Sequence, residues 1–338
     1  MRSIPLASVS SLAPFFNYLS ANGGDPFQYS DAAQIPREMM ETLDGRIAKI
    51  QANKFLELAH EREGISDLGY RVGQSYGPMD MSSLGEAILS STTLGEALQT
   101  FCKHINTWWG GMDAWIEKKN TQAWIKIRPV DGLTIPRNVS NQNGIFIFAN
   151  IIRLAAGKNW VPKRMIIPPT PNNSHENFPI VGEAEVFFDP EVIGLEFPAM
   201  FLPLTLNATP LQKNPGALIP HPPTLVDSLY EIVQNLIRHD HVPGITTVAE
   251  IIQSTPRTLQ RRLVDSDINY RQLVNRARIG LARDALLINR EQPLEDISKL
   301  SGFANARSLI FSFKRSTGIT PGEFRRLNQQ DAEGYHLQ

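Results

Sequence analysis

Residues 255–263 read TPRTLQRRL, and residues 296–326 read DISKLSGFANARSLIFSFKRSTGITPGEFRR. Thr255 is a good helix N-cap, and Pro256 fits the first helical position, where a missing N–H costs nothing. In the helix that follows, Leu259 and Leu263 face a core. Arg257, Gln260 and Arg261, spaced i, i+3 and i+4, share the other face, with Thr258 among them. Arg and Gln are the side chains that bond guanine and adenine edges bidentately in a major groove. Just upstream, Thr247 and Glu250 form a capping-box pattern, which predicts a short helix through Val248, Ala249, Ile251 and Ile252, broken at Gln253-Ser254. The second stretch repeats the plan. Leu294, Ile297 and Leu300 predict a short helix after Pro293, and Ser301-Gly302 turns the chain, glycine being free to take a left-handed conformation. Phe303 should point inward. Asn305 should cap a second helix with Leu309, Ile310 and Phe313 apolar and Arg307, Lys314 and Arg315 polar, closed by the segment Gly318 to Pro321. Between the two units, Leu273, Val274, Ala277, Leu281 and Ala285 line one side of a predicted helix over 270–288. Nineteen residues at ~1.5 Å each give about 28 Å, close to the ~34 Å of one B-DNA turn.

Charge agrees with this reading. The whole chain of 338 residues is nearly neutral at −1, yet residues 255–326 carry 14 Lys+Arg against 7 Asp+Glu, a net +7. The remainder carries 19 against 27, a net −8. A basic block on an acidic chain is the electrostatic footprint of a polyanion-binding module. Apolar residues at 42% and charged residues at 20% exclude a disordered, collagen-like or coiled-coil chain. The single cysteine, Cys102, excludes an intrachain disulfide and a Cys-rich zinc module, and fits a reducing cytoplasm. The best membrane-span candidate, 144–157, is short of the ~20 residues required and contains Asn150 and Arg153, so a soluble, cytoplasmic protein without membrane partners is expected.

Upstream, five breakers (Pro215, Gly216, Pro220, Pro222 and Pro223) read as a stiff linker. The first 25 residues read as a short helix through Leu12, Phe15, Phe16 and Leu19, and residues 36–60 as another through Leu43, Ile47, Ile50, Phe55 and Leu58. Helical spacing returns over 83–105, where Thr93 and Glu96 form a capping box. The period then shortens. Residues 113–118 and 122–128 read as a hairpin, 141–156 as a helix, and 165–167, 185–188 and 195–197 as short strands. The expected fold is an α+β N-terminal domain, a small sheet with helices, followed by an all-α domain of two helix-turn-helix units joined by a long helix. The expected boundaries are 1–210 for effector binding and dimerisation, 211–224 for the linker, 225–328 for DNA binding and 329–338 for a tail.

The two quoted stretches and the connecting helix resemble the two halves of the AraC/XylS family DNA-binding domain, over roughly 80 residues in order and spacing. The family's base-facing positions in the first unit fall on Arg257, Gln260 and Arg261. The second unit departs from the pattern. The family often has a small polar residue or Gln where this chain has Arg307, and Arg or Lys where it has Phe311. Arg307 can still read guanine, and Phe311 can touch a thymine methyl. The alternative is that this half, with Asn305, mainly grips phosphate through Lys314 and Arg315. The segments LGYRVGQSYGPMDMSSLGEAILSSTTLGEALQTFCKHI (68–105) and EVFFDPEVIGLEFPAMFLPLTL (185–206) resemble the arabinose-binding-type N-terminal domain of a subgroup of these regulators. The resemblance implies a sequence-specific transcription regulator on double-stranded promoter DNA. It also implies a small-molecule effector, a homodimer, or both, and RNA polymerase as a partner if the protein is an activator.

Four of the five tryptophans fall in 108–124, namely Trp108, Trp109, Trp115 and Trp124. One reading makes them core between helix and hairpin. The other has Trp108, Trp109 and Trp124 line an effector pocket, with Arg128 or His104 as a polar handle. Cys102 lies mid-helix without a nucleophile elbow, and His104 falls on a different helical face. His239 and His241 bracket Asp240 but diverge on a helix, so solvated linker residues are favoured over metal ligands. No catalytic residue, metal or cofactor is expected. A regulator whose first domain only dimerises stays open. An enzyme fused to a DNA-binding tail would need a nucleophile elbow or cysteine cluster that the sequence lacks.

Overall fold

The computed structural model describes residues 3–133, 136–169, 180, 182, 184–207, 218–239, 242–289 and 291–334, with side chains up to Asn328 at the C-terminal end. The chain divides into two units, Pro5–His221 and Met1–Ile4 with Pro222–Gln338. Residues 211–217 of the expected linker, Asp240 and His241, and residues 335–338 of the tail lie outside the described residues.

The N-terminal unit runs β1 (Leu6–Ser8), α1 (Ala13–Ala21), α2 (Phe27–Ala32), α3 (Arg37–Thr42), β2 (Arg46–Ala48), α4 (Lys49–Glu63), α5 (Leu68–Gly73), α6 (Ser82–Leu89), α7 (Leu94–Trp108), β3 (Met112–Lys119), β4 (Gln122–Pro129), α8 (Asn138–Ala156), β5 (Arg164–Ile167), β6 (Glu185–Phe188) and β7 (Ile193–Pro198). Strands β3 to β7 form one sheet in the order β3-β4-β7-β5-β6, antiparallel except for the β5–β6 pair, and β1 pairs with β2. Strand alternation sets the layers. Ala123, Ile125 and Ile127 of β4 are buried, while Trp124, Lys126 and Arg128 stand on the other face. Helix α8, buried along most of its length, lies against β7. Its N-terminus is held by Glu57, whose carboxylate accepts from the Val139 N–H at 3.2 Å and the Asn138 amide at 3.3 Å.

Three local expectations change. Residues 36–60 are not one helix: Leu43 (φ 54°) and Gly45 (φ 84°) turn left-handed, and β2 follows, with Ile47 opposite Ala7. Apolar spacing alone does not register such a break. Residues 1–25 begin with β1, and α1 starts at Ala13 with Pro14 in its first turn. Thr247 does not cap the helix near it. Gly244, extended at φ −73° and ψ 159°, starts that helix a turn earlier, after Pro243. The Thr93 cap is present: Thr93 Oγ1 accepts from the Glu96 N–H at 3.3 Å, and the Glu96 carboxylate accepts from the Thr92 N–H at 2.8 Å.

The C-terminal unit is helical: α9 (Leu225–His239), α10 (Ile245–Ile251), α11 (Pro256–Val264), α12 (Tyr270–Ile288), α13 (Leu294–Leu300), α14 (Ala306–Thr317) and α15 (Pro321–Gly334). Helix α12 packs on α9 and touches α13, α14 and α15. Its Ile279, Ala282 and Leu286 join Ile297, Phe303, Leu309 and Phe313 in one apolar cluster, with Phe303 inward.

Candidate nucleic-acid interface and a cavity in the N-terminal unit

The two helix-turn-helix units close their turns with the same hydrogen bonds. In the first, the Ser254 N–H donates to Ala249 O at 2.7 Å and the Gln253 N–H to Glu250 O at 3.0 Å. In the second, the Phe303 N–H donates to Ser298 O at 2.7 Å and the Gly302 N–H to Lys299 O at 3.0 Å. Both are Schellman closures around a left-handed residue, Gln253 at φ 48° and Gly302 at φ 71°. The helix after each turn is then capped. Thr255 Oγ1 accepts from the Thr258 N–H at 3.2 Å, and Asn305 Oδ1 accepts from the Ser308 N–H at 2.9 Å. These caps engage two of the expected DNA-contact positions: the Thr258 hydroxyl lies 3.0 Å from Thr255 Oγ1, and Asn305 uses its carbonyl on its own helix.

Buried Leu259 and Leu263 anchor α11, which leaves Arg257, Gln260 and Arg261 exposed on one face. Leu309 and Phe313 anchor α14 in the same way. Arg307, Phe311, Lys314 and Arg315 form an exposed stripe there, with the Phe311 ring 68% open to solvent. No ion pair among the described residues engages Arg257, Arg261, Arg307 or Arg315. Other basic side chains of the unit serve the fold. Arg278 sits over the Phe303 ring at 5.4 Å, Arg283 over Phe324 at 5.7 Å, and Arg325 donates to Gln292 O at 2.7 Å. Burial holds the Arg278 guanidinium below its usual range.

The N-terminal unit contains a cavity of about 70 Å³ between α4, α7, α8 and the sheet. Trp108 and Trp109 line it, together with Phe15, Phe101, Ile147 and Phe148. Trp124 and Arg128 do not. The two-residue period of β4 turns them to the opposite face, where Arg128 pairs with Asp113 at 3.0 Å and stacks over Trp115. His104 also lies off the lining, with its pKa lowered by partial burial. Cys102 is half-buried, and burial pushes its thiol up to about 12, which suppresses the thiolate.

The polar part of the cavity was not singled out in the sequence. Lys49 Nζ bonds Asp131 Oδ2 at 2.7 Å, and Arg137 Nη2 bonds Asp131 Oδ1 at 2.7 Å, with Lys49 and Asp131 all but inaccessible. Lys49 and Arg137 both line the cavity. Burial pushes the Lys49 ammonium down to about 8, against the pull of Asp131. Trp108 Nε1, Asn143 Oδ1 and Arg137 Nε are buried without a hydrogen-bond partner among the described residues. The one available sequence signal was a lysine set between Ile47 and Ile50, both of which are buried.

A family model described as the arabinose-binding domain of AraC transcription regulator, N-terminal part, matches residues 23–206, and a helix-turn-helix domain model matches residues 248–327. The ornithine utilization regulator of Pseudomonas aeruginosa is 25% identical over 305 residues, covering 87% of this chain and 89% of that protein. The HTH-type transcriptional regulator VqsM of the same organism is 38% identical over 86 residues, 25% of this chain and 26% of that one, so the chain matches only about a quarter of that relative. Among solved structures, the transcriptional regulator CdpR from Pseudomonas aeruginosa has a TM-score of 0.41 at 20% identity, covering 94% of this chain and 98% of its own. No helix among the described residues is long and apolar enough to cross a membrane. With one model spanning the N-terminal region and another the paired helix-turn-helix region, the chain belongs to the AraC family of DNA-binding transcription regulators, in the branch carrying the arabinose-binding-type N-terminal domain.

Proposed function

We propose that this regulator is effector-responsive: residues 1–210 sense a small molecule, and residues 225–328 present α11 and α14 to successive major-groove segments of a promoter. The observation that carries the DNA part is the repeated unit, two capped helices with exposed cationic faces joined by the 19-residue α12, about 28 Å long. Arg257, Gln260 and Arg261 read bases. Arg307 and Phe311 read bases in the second half, while Lys314 and Arg315 hold phosphate. The cavity beside Trp108 and Trp109 supports the sensing part. A homodimer on DNA, and RNA polymerase as a partner in activation, complete this reading.

Arg261→Ala should weaken specific binding by about 1–3 kcal/mol and relax one base position. Lys314→Ala should weaken binding equally on specific and random DNA and flatten the salt slope by about 1. Fluorescence anisotropy on footprinted operator and scrambled duplexes checks both. An equal loss for Arg261→Ala on every sequence would make that residue a phosphate contact instead.

A further inference from the structure

We propose that the N-terminal cavity takes a short aliphatic carboxylate, its anionic head held by Lys49, Arg137 and the Trp108 N–H. The inference rests on the sensing role given above and names the ligand class. Three observations carry it. The first is charge: Lys49 and Arg137 share a single buried carboxylate, Asp131, which also accepts the Leu133 N–H at 2.9 Å. The carboxylate-bearing residue on the cavity lining, Glu191, is exposed, so one positive charge is left without a buried counter-ion in this cluster, and buried charges are costly unless paired.

The second is unused donors. Besides Asp131, the hydrogen-bond acceptor that Lys49 Nζ meets among the described residues is the Met112 thioether at 3.1 Å, a weak one, and the Trp109 ring lies 5.9 Å from Nζ. Arg137 Nε and Trp108 Nε1 are buried without partners among the described residues, and Trp108 itself is 5% exposed. Buried donors are normally satisfied, so donors left open on a cavity wall mark where a ligand acceptor belongs. The third is size and lining. Beyond the polar end the wall is Phe15, Leu56, Phe101, Ile105, Ile147 and Phe148, around a space of about 70 Å³. A cavity of ~150 Å³ holds the six carbons of benzene, so this one, at less than half that volume, suits a carboxylate of roughly two to four carbons. Asn143 Oδ1, an acceptor without a partner among the described residues, adds a place for a hydroxyl on that chain. A cationic amino acid side chain would meet Lys49 and Arg137 and be repelled.

The test uses the full chain and three matched probe types at constant ionic strength: acetate, propionate and butyrate as sodium salts, butyramide as the neutral isostere, and butylammonium as the cation. Calorimetric titration and thermal shift should show carboxylate binding, butyramide at least tenfold weaker, and no binding of butylammonium. Lys49→Met should weaken butyrate at least tenfold. Trp108→Phe removes the indole N–H together with part of a buried ring system that packs near Tyr76 and Trp109, so a thermal melt checks its fold, and the folded variant should weaken butyrate severalfold and more than butyramide. Equal or tighter binding of butyramide or butylammonium overturns the carboxylate assignment while leaving the cavity as a sensing site. Butyrate affinity unchanged in both variants places the ligand elsewhere and overturns it too. Failure of all three probe types to bind, with DNA affinity unmoved by any, overturns the assignment together with the sensing role.

Discussion

Gln253 and Gly302 hold the same place in two copies of one turn, yet only one of them is glycine. Both are left-handed, at φ 48° and φ 71°. A side chain there costs about 1–2 kcal/mol of backbone strain. Gly302 also has no room: a Cβ would lie 2.7 Å from Val242 Cγ2 and 3.0 Å from Ile237 Cγ2. Gly302→Ala should therefore destabilise the C-terminal unit by about 1–3 kcal/mol. Gln253→Gly, in the other turn, should stabilise it by up to about 1 kcal/mol, part of the relief being offset by the freer unfolded chain. Urea midpoints at unchanged m-value measure both. A neutral Gly302→Ala would mean that the turn is not held in its left-handed form.

Helix α8 carries Asn143 and Gly144 into the cavity wall, and its position depends on how closely α5 approaches. Gly69 and Gly73, four apart, make that approach possible. A Cβ on Gly69 would sit 2.2 Å from Val139 O, and one on Gly73 would sit 2.6 Å from the Phe146 ring. The contact is then locked: the Gly69 N–H donates to Gln142 Oε1 at 3.0 Å, and Gln142 Nε2 donates to Ser66 O at 3.0 Å. Because the obstacle at Gly69 is backbone, it cannot swing aside. Gly69→Ala should cost about 1–3 kcal/mol by overpacking, and more if the Gln142 bond breaks. It should also loosen the cavity, so thermal melts and butyrate titration of the variant should change together. Loss of stability with butyrate affinity intact would separate the helix contact from the site.

At the scale of the whole molecule, the proposed sensing role requires that ligand binding and DNA binding be linked reciprocally. If a carboxylate changes operator affinity by some factor, operator DNA changes carboxylate affinity by the same factor, about 5- to 150-fold in typical allosteric proteins. Anisotropy with and without saturating butyrate, and calorimetry with and without operator duplex, should return one number. A ratio of one in both, with butyrate bound, would show binding without regulation and favour an N-terminal domain that serves dimerisation.

The sequence alone determined the C-terminal architecture. Caps at Thr255 and Asn305, the left-handed glycine at 302 and the apolar spacing of α11, α12 and α14 are local signals, each decided within a turn or two of chain. It also selected Arg257, Gln260 and Arg261 as an exposed face, because helical period fixes which side chains lie opposite Leu259 and Leu263. The tertiary structure decided what depends on residues far apart in the chain. Lys49, Asp131 and Arg137 come together from separate segments, and no periodicity links position 49 to position 131. Strand register sent Trp124 and Arg128 away from the cavity that Trp108 and Trp109 line. Packing also divided the basic residues of the C-terminal unit, placing Arg278 and Arg283 over aromatic rings while Arg257, Arg261 and Arg307 remain in solvent. A charge count treats all of these alike, whereas burial and partners distinguish them.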